Sequence, residues 1–273
     1  MKKFLALILA VLFAMSFVAC GNDTETNEGT DSESQSETVD GTDNETVNDE
    51  KPADVKVMTY EEYAAAEVET AVVIEAYVQA TQGWWEENGQ GKITVYAQDE
   101  NGGYFIYNMA CSEEDSAKLV AGTKIRVSGY KANFNGEIEI GEGATFEIVE
   151  GNWVATAEDV TALLGTDDLI KNQNKFVAFK GMTVEASKDA DGNDVAFLYK
   201  WNGAGSEGDD LYFNVSVNGN TYTFTVESYL CGADTEVYKA VKELKIGDKI
   251  DMEGFLYWYE GVNPHITAVS AAK

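Results

Sequence analysis

From residue 55 onward the chain alternates short β-branched and aromatic runs with turns rich in glycine, asparagine and aspartate, a pattern of small barrels or sandwiches. A β-branched run over 70–81 predicts a first strand. Strands follow over 93–98 and 104–108, separated by the turn Asp99-Glu-Asn-Gly-Gly103. Ser112, with Asp115 three residues on, marks the start of a short helix over 112–118. Strands over 124–132 and 137–140 flank the turn Asn133-Phe-Asn-Gly136. Ahead of all these, Thr59 and Glu62 form a capping box for a leading helix over 58–67. The second half predicts a leading helix near 156–164. Its strands fall near 175–187, 211–217, 221–227, 249–258 and 264–270, with a helix over 235–244.

The halves are copies of one another. Leu119, Gly122, Ile125, Val127, Gly129 and Tyr130 align at a constant offset with Leu244, Gly247, Ile250, Met252, Gly254 and Phe255. Phe134-Asn135-Gly136 continues the match against Tyr259-Glu260-Gly261, and upstream the segment 104–111 pairs with 224–231. A repeat of this length partitions the region into two domains, 55–150 and 151–273.

Residues 1–19 run from Lys2-Lys3 through an apolar stretch to small residues before Cys20, the layout of a secretory signal peptide and too short for a retained transmembrane helix. The stretch Phe17-Val18-Ala19-Cys20-Gly21 resembles a lipobox. That motif implies acylation of Cys20, with diacylglycerol and palmitate-type chains anchoring the mature protein. The alternative is a plain signal peptide cut near Ala19. Residues 20–54 are polar and acidic, with 11 acids and no base between Gly21 and Glu50, and should form an extended disordered tether.

The order β-β-β-α-β-β, with a Gly-aromatic step in the fourth strand, resembles the OB fold, a five-stranded Greek-key barrel. Two such barrels behind a lipobox and an acidic spacer resemble the OB-fold surface lipoproteins of low-GC Gram-positive bacteria. The resemblance implies an all-β fold with short helices, lipid-anchored outside the cell membrane. It also implies a ligand face on the second and third strands, flanked by the loops joining strands one to two and four to five.

Charge narrows the ligand. The chain carries 48 acids against 19 bases, net −29, and each half is acidic by itself. Nucleic-acid binders gather Lys and Arg on one face, so single-stranded nucleic acid is an unlikely partner, although the fold permits it. Aromatic residues crowd the two loop regions that the resemblance implicates: Trp84 and Trp85 in the first copy, Trp201 with Tyr257, Trp258 and Tyr259 in the second. Such rings suit stacking on a sugar or base, and equally suit plugging a barrel end. Trp84 and Trp85 are adjacent, so on extended backbone they point oppositely and at most one is core.

Other candidates are weaker. The stretch 189–194 places Asp189, Asp191 and Asn193 like the start of a calcium loop, but Gly192 comes too early, which favours a polar hairpin tip. His265 is the only histidine and has no recognisable nucleophile partner, which favours a hydrogen-bonding role over catalysis or zinc. Cys111 and Cys231 occupy equivalent places in the repeat. Separate barrels rarely bring such positions within the roughly 7 Å that a disulfide needs, so two buried thiols are favoured and a disulfide stays open. No cofactor fingerprint is present. The expectation is therefore a non-catalytic, cell-surface binding protein for a glycan or protein, without cofactor or metal, whose alternatives are single-stranded nucleic-acid binding and a structural part of an envelope complex.

Because the tether has no apolar anchor of its own, Cys20→Ala should move the protein from the membrane fraction to the soluble one. Fractionation after alkaline washing checks this, and a variant that stays membrane-bound would exclude lipid on Cys20.

Overall fold

The computed structural model describes residues 56–273; the signal segment, Cys20 and the tether expected over 20–54 lie outside the described residues. In the first half α1 (Tyr60–Ala65) precedes β1 (Ala71–Thr81), β2 (Trp85–Glu87), β3 (Gln90–Gln98) and β4 (Gly103–Ala110). Then come α2 (Glu113–Ser116), β5 (Thr123–Phe134), β6 (Glu137–Ile140) and β7 (Thr145–Asn152). The hydrogen-bonded order is β1-β3-β4-β6-β5, and β5 returns to β1 to close a five-stranded barrel. The β4–β6 pair is parallel and the other pairs are antiparallel. Strand period two places Val72, Ile74, Ala76 and Val78 inside against Ile93, Val95, Ile106, Ile125 and Val127.

The second half repeats this plan. After β8 (Glu158–Asp159) come β9 (Phe176–Glu185), the hairpin β10 (Ser187–Lys188) and β11 (Asp194–Val195), β12 (Leu198–Tyr199), β13 (Leu211–Val217) and β14 (Asn220–Val226). Helix α3 (Glu236–Lys242), β15 (Lys249–Phe255) and β16 (His265–Ala271) complete it. The order β13-β14-β16-β15-β9, with β9 pairing back to β13, is the same closed barrel. The strand order and the parallel closing pair make both copies OB-type barrels. Equivalent turns keep equivalent backbone: Gly122 and Gly247 sit at φ 92° and 94°, where a side chain would be strained. No helix among the described residues is long and apolar enough to cross a membrane.

The expected helix starts hold. Thr59 and Glu62 form both halves of the capping box, and the Ser112 and Thr235 hydroxyls cap α2 and α3. The Lys131 ammonium donates to the carbonyls of Tyr63, Ala64 and Ala66, satisfying the end of α1 and fixing it to the barrel. The leading helix expected near 156–164 does not form. Glu158 and Asp159 pair with β9, the Asp159 carboxylate accepts from the amide and hydroxyl of Thr161, and only two single turns of 3-10 helix follow (Thr161–Leu163 and Leu169–Asn172). The strand expected over 249–258 ends at Phe255, and the added strand β7 runs along β5.

The barrels are joined by a buried seam. Tyr96 and Phe105, which point outward from β3 and β4, pack against Phe255, Phe176 and Tyr257 of the second barrel. The Gln98 side chain accepts from the Phe176 amide (2.7 Å), and the Asn174 side chain donates to the Ile138 carbonyl (2.9 Å). A Cβ on Gly103 would lie 2.2 Å from the Asn174 backbone, so this approach requires glycine. Glu137 is fully buried here. Its carboxylate accepts from the Trp258 amide (2.9 Å) and the Gln173 side chain (3.1 Å), while Oε1 has no protein partner.

Burial raises the Glu137 carboxyl to about 8, from an ordinary 4.5, against the downward pull of its hydrogen-bond donors. Between those values the folded chain holds a proton that the unfolded chain releases, so this group makes stability fall as pH rises across that window. Glu137→Gln should flatten the decline of melting temperature between roughly pH 5 and pH 8. An unchanged slope would show that Glu137 is ionised in the fold.

Candidate functional site

The seam covers only part of the outward face of β3 and β4. Beside it opens a cleft of about 1360 Å³ walled by both barrels. The first barrel contributes Trp84 and Trp85 from the segment after β1, Phe105 and Tyr107 from β4, Phe134 at the end of β5, and Glu139 from β6. The second contributes Trp201 from the loop before β13, Tyr212 from β13, Glu227 and Tyr229 after β14, Tyr257 and Tyr259 after β15, and His265 at the start of β16. The loops joining strands one to two and four to five of each barrel therefore converge on one space. At the meeting of the two later loops, Phe134 and Tyr259 lie 5.8 Å apart, and the Glu260 amide donates to the Asn135 carbonyl (2.7 Å).

Five of the six aromatics singled out in the sequence line this cleft: Trp84, Trp85, Trp201, Tyr257 and Tyr259. Trp84 and Trp85 divide as extended backbone requires. Trp84 packs on the core with its indole N–H bonded to the Cys111 carbonyl (2.9 Å), and Trp85 stands outward under the Lys92 ammonium. Trp201 is 69% exposed and offers a free face. Trp258 does not belong to the set. A turn closed by pairing with Val262 swings its ring onto the second barrel's core and against Gly136, so it is a seam residue.

The polar floor is a chain of hydrogen bonds across the seam. The Gln82 amide donates to Glu227 Oε2 (3.2 Å) and to the Tyr96 hydroxyl (3.3 Å). The Tyr96 hydroxyl in turn shares a hydrogen bond with His265 Nδ1 (2.7 Å). His265 lies flat on Tyr257, with centroids 4.2 Å apart, and burial pushes its pKa down to about 3, so the ring is neutral and serves as a hydrogen-bonding group. Burial lifts Glu139 to about 7. Burial and then the neighbouring Asp210 charge lift Glu227 to about 7, against the amide N–H groups of Tyr229 and Leu230 that accompany it. Neither carboxylate pairs with a lysine or arginine among the described residues.

The remaining candidates lie elsewhere. Cys111 and Cys231 are separate buried thiols, and burial raises both to about 11, so neither is a nucleophile near neutrality. Asp189 accepts from the amides of Asp191 and Asn193 in the polar hairpin tip between β10 and β11. No group of three or more His, Cys, Asp or Glu among the described residues is arranged to hold a metal. Sequence reasoning missed Phe105, Tyr107, Phe134, Tyr212, Tyr229, Glu139 and Glu227. Phe134 had a signal, since the repeat aligns it with Tyr259.

No protein-family model matches the chain, and no curated protein matches it. Among solved structures, one described as the Ifi202 HINa domain in complex with 20bp dsDNA is similar at 12% identity and TM-score 0.33, over 75% of this chain and 100% of that one. A murine DNA binding protein bound with ds DNA is similar at 13% and 0.35, over 74% and 96%. A Replication Protein A heterotrimer bound to ssDNA is similar at 10% and 0.27, over 80% and 69%. At these scores the likenesses are partial, and the OB assignment rests on strand order and barrel closure.

Proposed function

We propose that the protein is a non-catalytic, lipid-anchored binding protein displayed outside the membrane, holding a glycan in the cleft between its barrels. The observation that carries this is the convergence of ring faces from four OB loops on one open concavity that, among the described residues, no lysine or arginine lines. Sugars bind by laying apolar ring faces on aromatics while amides, hydroxyls and carboxylates take their hydroxyl groups, and Asn108, Asn263 and Ser228 supply such neutral partners beside Glu139 and Glu227. A concavity suits a chain of sugars better than the broad surface of a protein partner. Cys20 and the tether would place the cleft at a distance from the bilayer.

Single-stranded nucleic acid is the second reading, favoured by the OB barrels and by rings that would stack on bases. Charge sets it second, because phosphates would approach an acidic cleft without a cation to replace their counterions.

Titration of the full chain with oligosaccharides and with oligonucleotides, read by tryptophan fluorescence, separates the two. A neutral glycan held by stacking should bind with little salt dependence, whereas oligonucleotide binding should fall steeply with salt. Trp201→Ala should weaken glycan binding about tenfold or more with no change in melting temperature, since a stacked ring is worth about 1–3 kcal/mol. Trp258→Ala should instead cost about 3–5 kcal/mol of stability through the core it packs on. Oligonucleotide binding without glycan binding would overturn the reading.

A further inference from the structure

Two carboxylates enter the cleft wall without a countercharge. Glu139 rises from β6 next to Phe105, its cross-strand partner, and is 7% exposed. Glu227 follows β14 on the opposite barrel and is held in place by the amides of Tyr229 and Leu230 and by Gln82. Away from the cleft, ion pairs form between more exposed side chains: Arg126 joins Glu75 and Glu147, Lys242 reaches Glu207, and Lys118 reaches Glu114 and Asp115. Lys92, whose ammonium lies over the cleft-lining Trp85, is engaged by Glu87 and Glu142. The other polar groups of the wall are amides, hydroxyls and the neutral ring of His265. A carboxylate taken out of water is destabilised unless a positive group or several donors compensate it, and here Glu139 lacks both. The aromatic faces around these acids would hold an ammonium equally well, through ring quadrupoles that attract cations.

We propose that the glycan of this cleft carries free amino groups, so that stacking on the aromatic wall is combined with ammonium groups set against Glu139 and Glu227. This deepens the glycan reading and rests on it. An N-acetylated sugar would present to the same carboxylates a neutral amide that brings no countercharge; a free amine, protonated, gives each an ion-paired hydrogen bond.

The test is calorimetric titration of the full chain, at near-neutral pH and physiological salt, with three hexamers of one linkage: glucose, N-acetylglucosamine and glucosamine. The glucosamine hexamer is expected to bind about tenfold or more tighter than the acetylated one, the margin of a charge-assisted hydrogen bond. The double variant Glu139→Gln/Glu227→Gln should abolish that preference while retaining the neutral hexamers. Removing two acids far from the cleft, by Asp168→Asn/Glu236→Gln, should leave the preference intact and so exclude attraction by overall charge. Melting curves of both double variants confirm that each is folded. Equal binding of acetylated and free-amine hexamers overturns the amine assignment and leaves the glycan reading standing. Failure of all three hexamers to bind overturns both. A preference lost equally in the remote variant also overturns the assignment.

Discussion

The structure depends on the way the second barrel sits on the outward face of β3 and β4. In a free OB barrel one side of each strand is wet, and here β3 is buried on both sides from Lys92 to Gln98. Tyr96 sets the geometry. It stacks on Phe255, meets Phe105 edge-on and bonds to His265, so one side chain contributes apolar area, ring geometry and a hydrogen bond to the same contact. Around it Gln82, Gln98, Gln173, Asn174 and Glu137 form a polar network in which nearly every group is satisfied. Such networks fix one relative placement, because sliding either barrel would leave several buried groups without partners at once.

That placement makes the cleft. The face an isolated barrel would offer to a ligand is spent partly on the seam, and its remainder is walled by loops of the partner barrel. The aromatic density follows from duplication: Phe134 and Tyr259 occupy the same position of the repeat, and the seam brings their rings together at a tilt. A single copy would offer at most one such loop pair. The cleft is consequently a feature of both barrels together, and changes in the seam would alter it through geometry.

Much of the fold was legible because the signals were local. The repeat, the Thr59–Glu62 capping box, the Ser112 cap, the helix beginning at 235, and the bounds of β6 and β13 each depend on a few neighbouring residues. The leading helix of the second copy failed because Asp159 and Thr161 bond to one another in a way that competes with helix, while β9 offered a strand partner distant in sequence. The site was half legible. Loop aromatics announced themselves by type, but Phe105 and Tyr107 on β4 read as ordinary strand residues, and only the docking of the second barrel separates their roles. Glu139 and Glu227 were hidden among many acids, because nothing in sequence distinguishes a solvated carboxylate from one enclosed at a seam.

The distribution of charge then ties the fold to the ligand. Acids in general excess keep a surface soluble and repel polyanions, which limits partners without selecting one. Acids enclosed in a cleft act differently, since a low-dielectric wall strengthens their field and penalises every state in which they face nothing. The exposed acids on the barrel flanks find lysines or water, whereas Glu139 and Glu227 find rings, amides and an open space. An OB fold by itself is indifferent to the sign of what it holds. Under the proposed reading the sign is set by Glu139 and Glu227, whose negative charge in the cleft wall suits a cationic ring-bearing ligand.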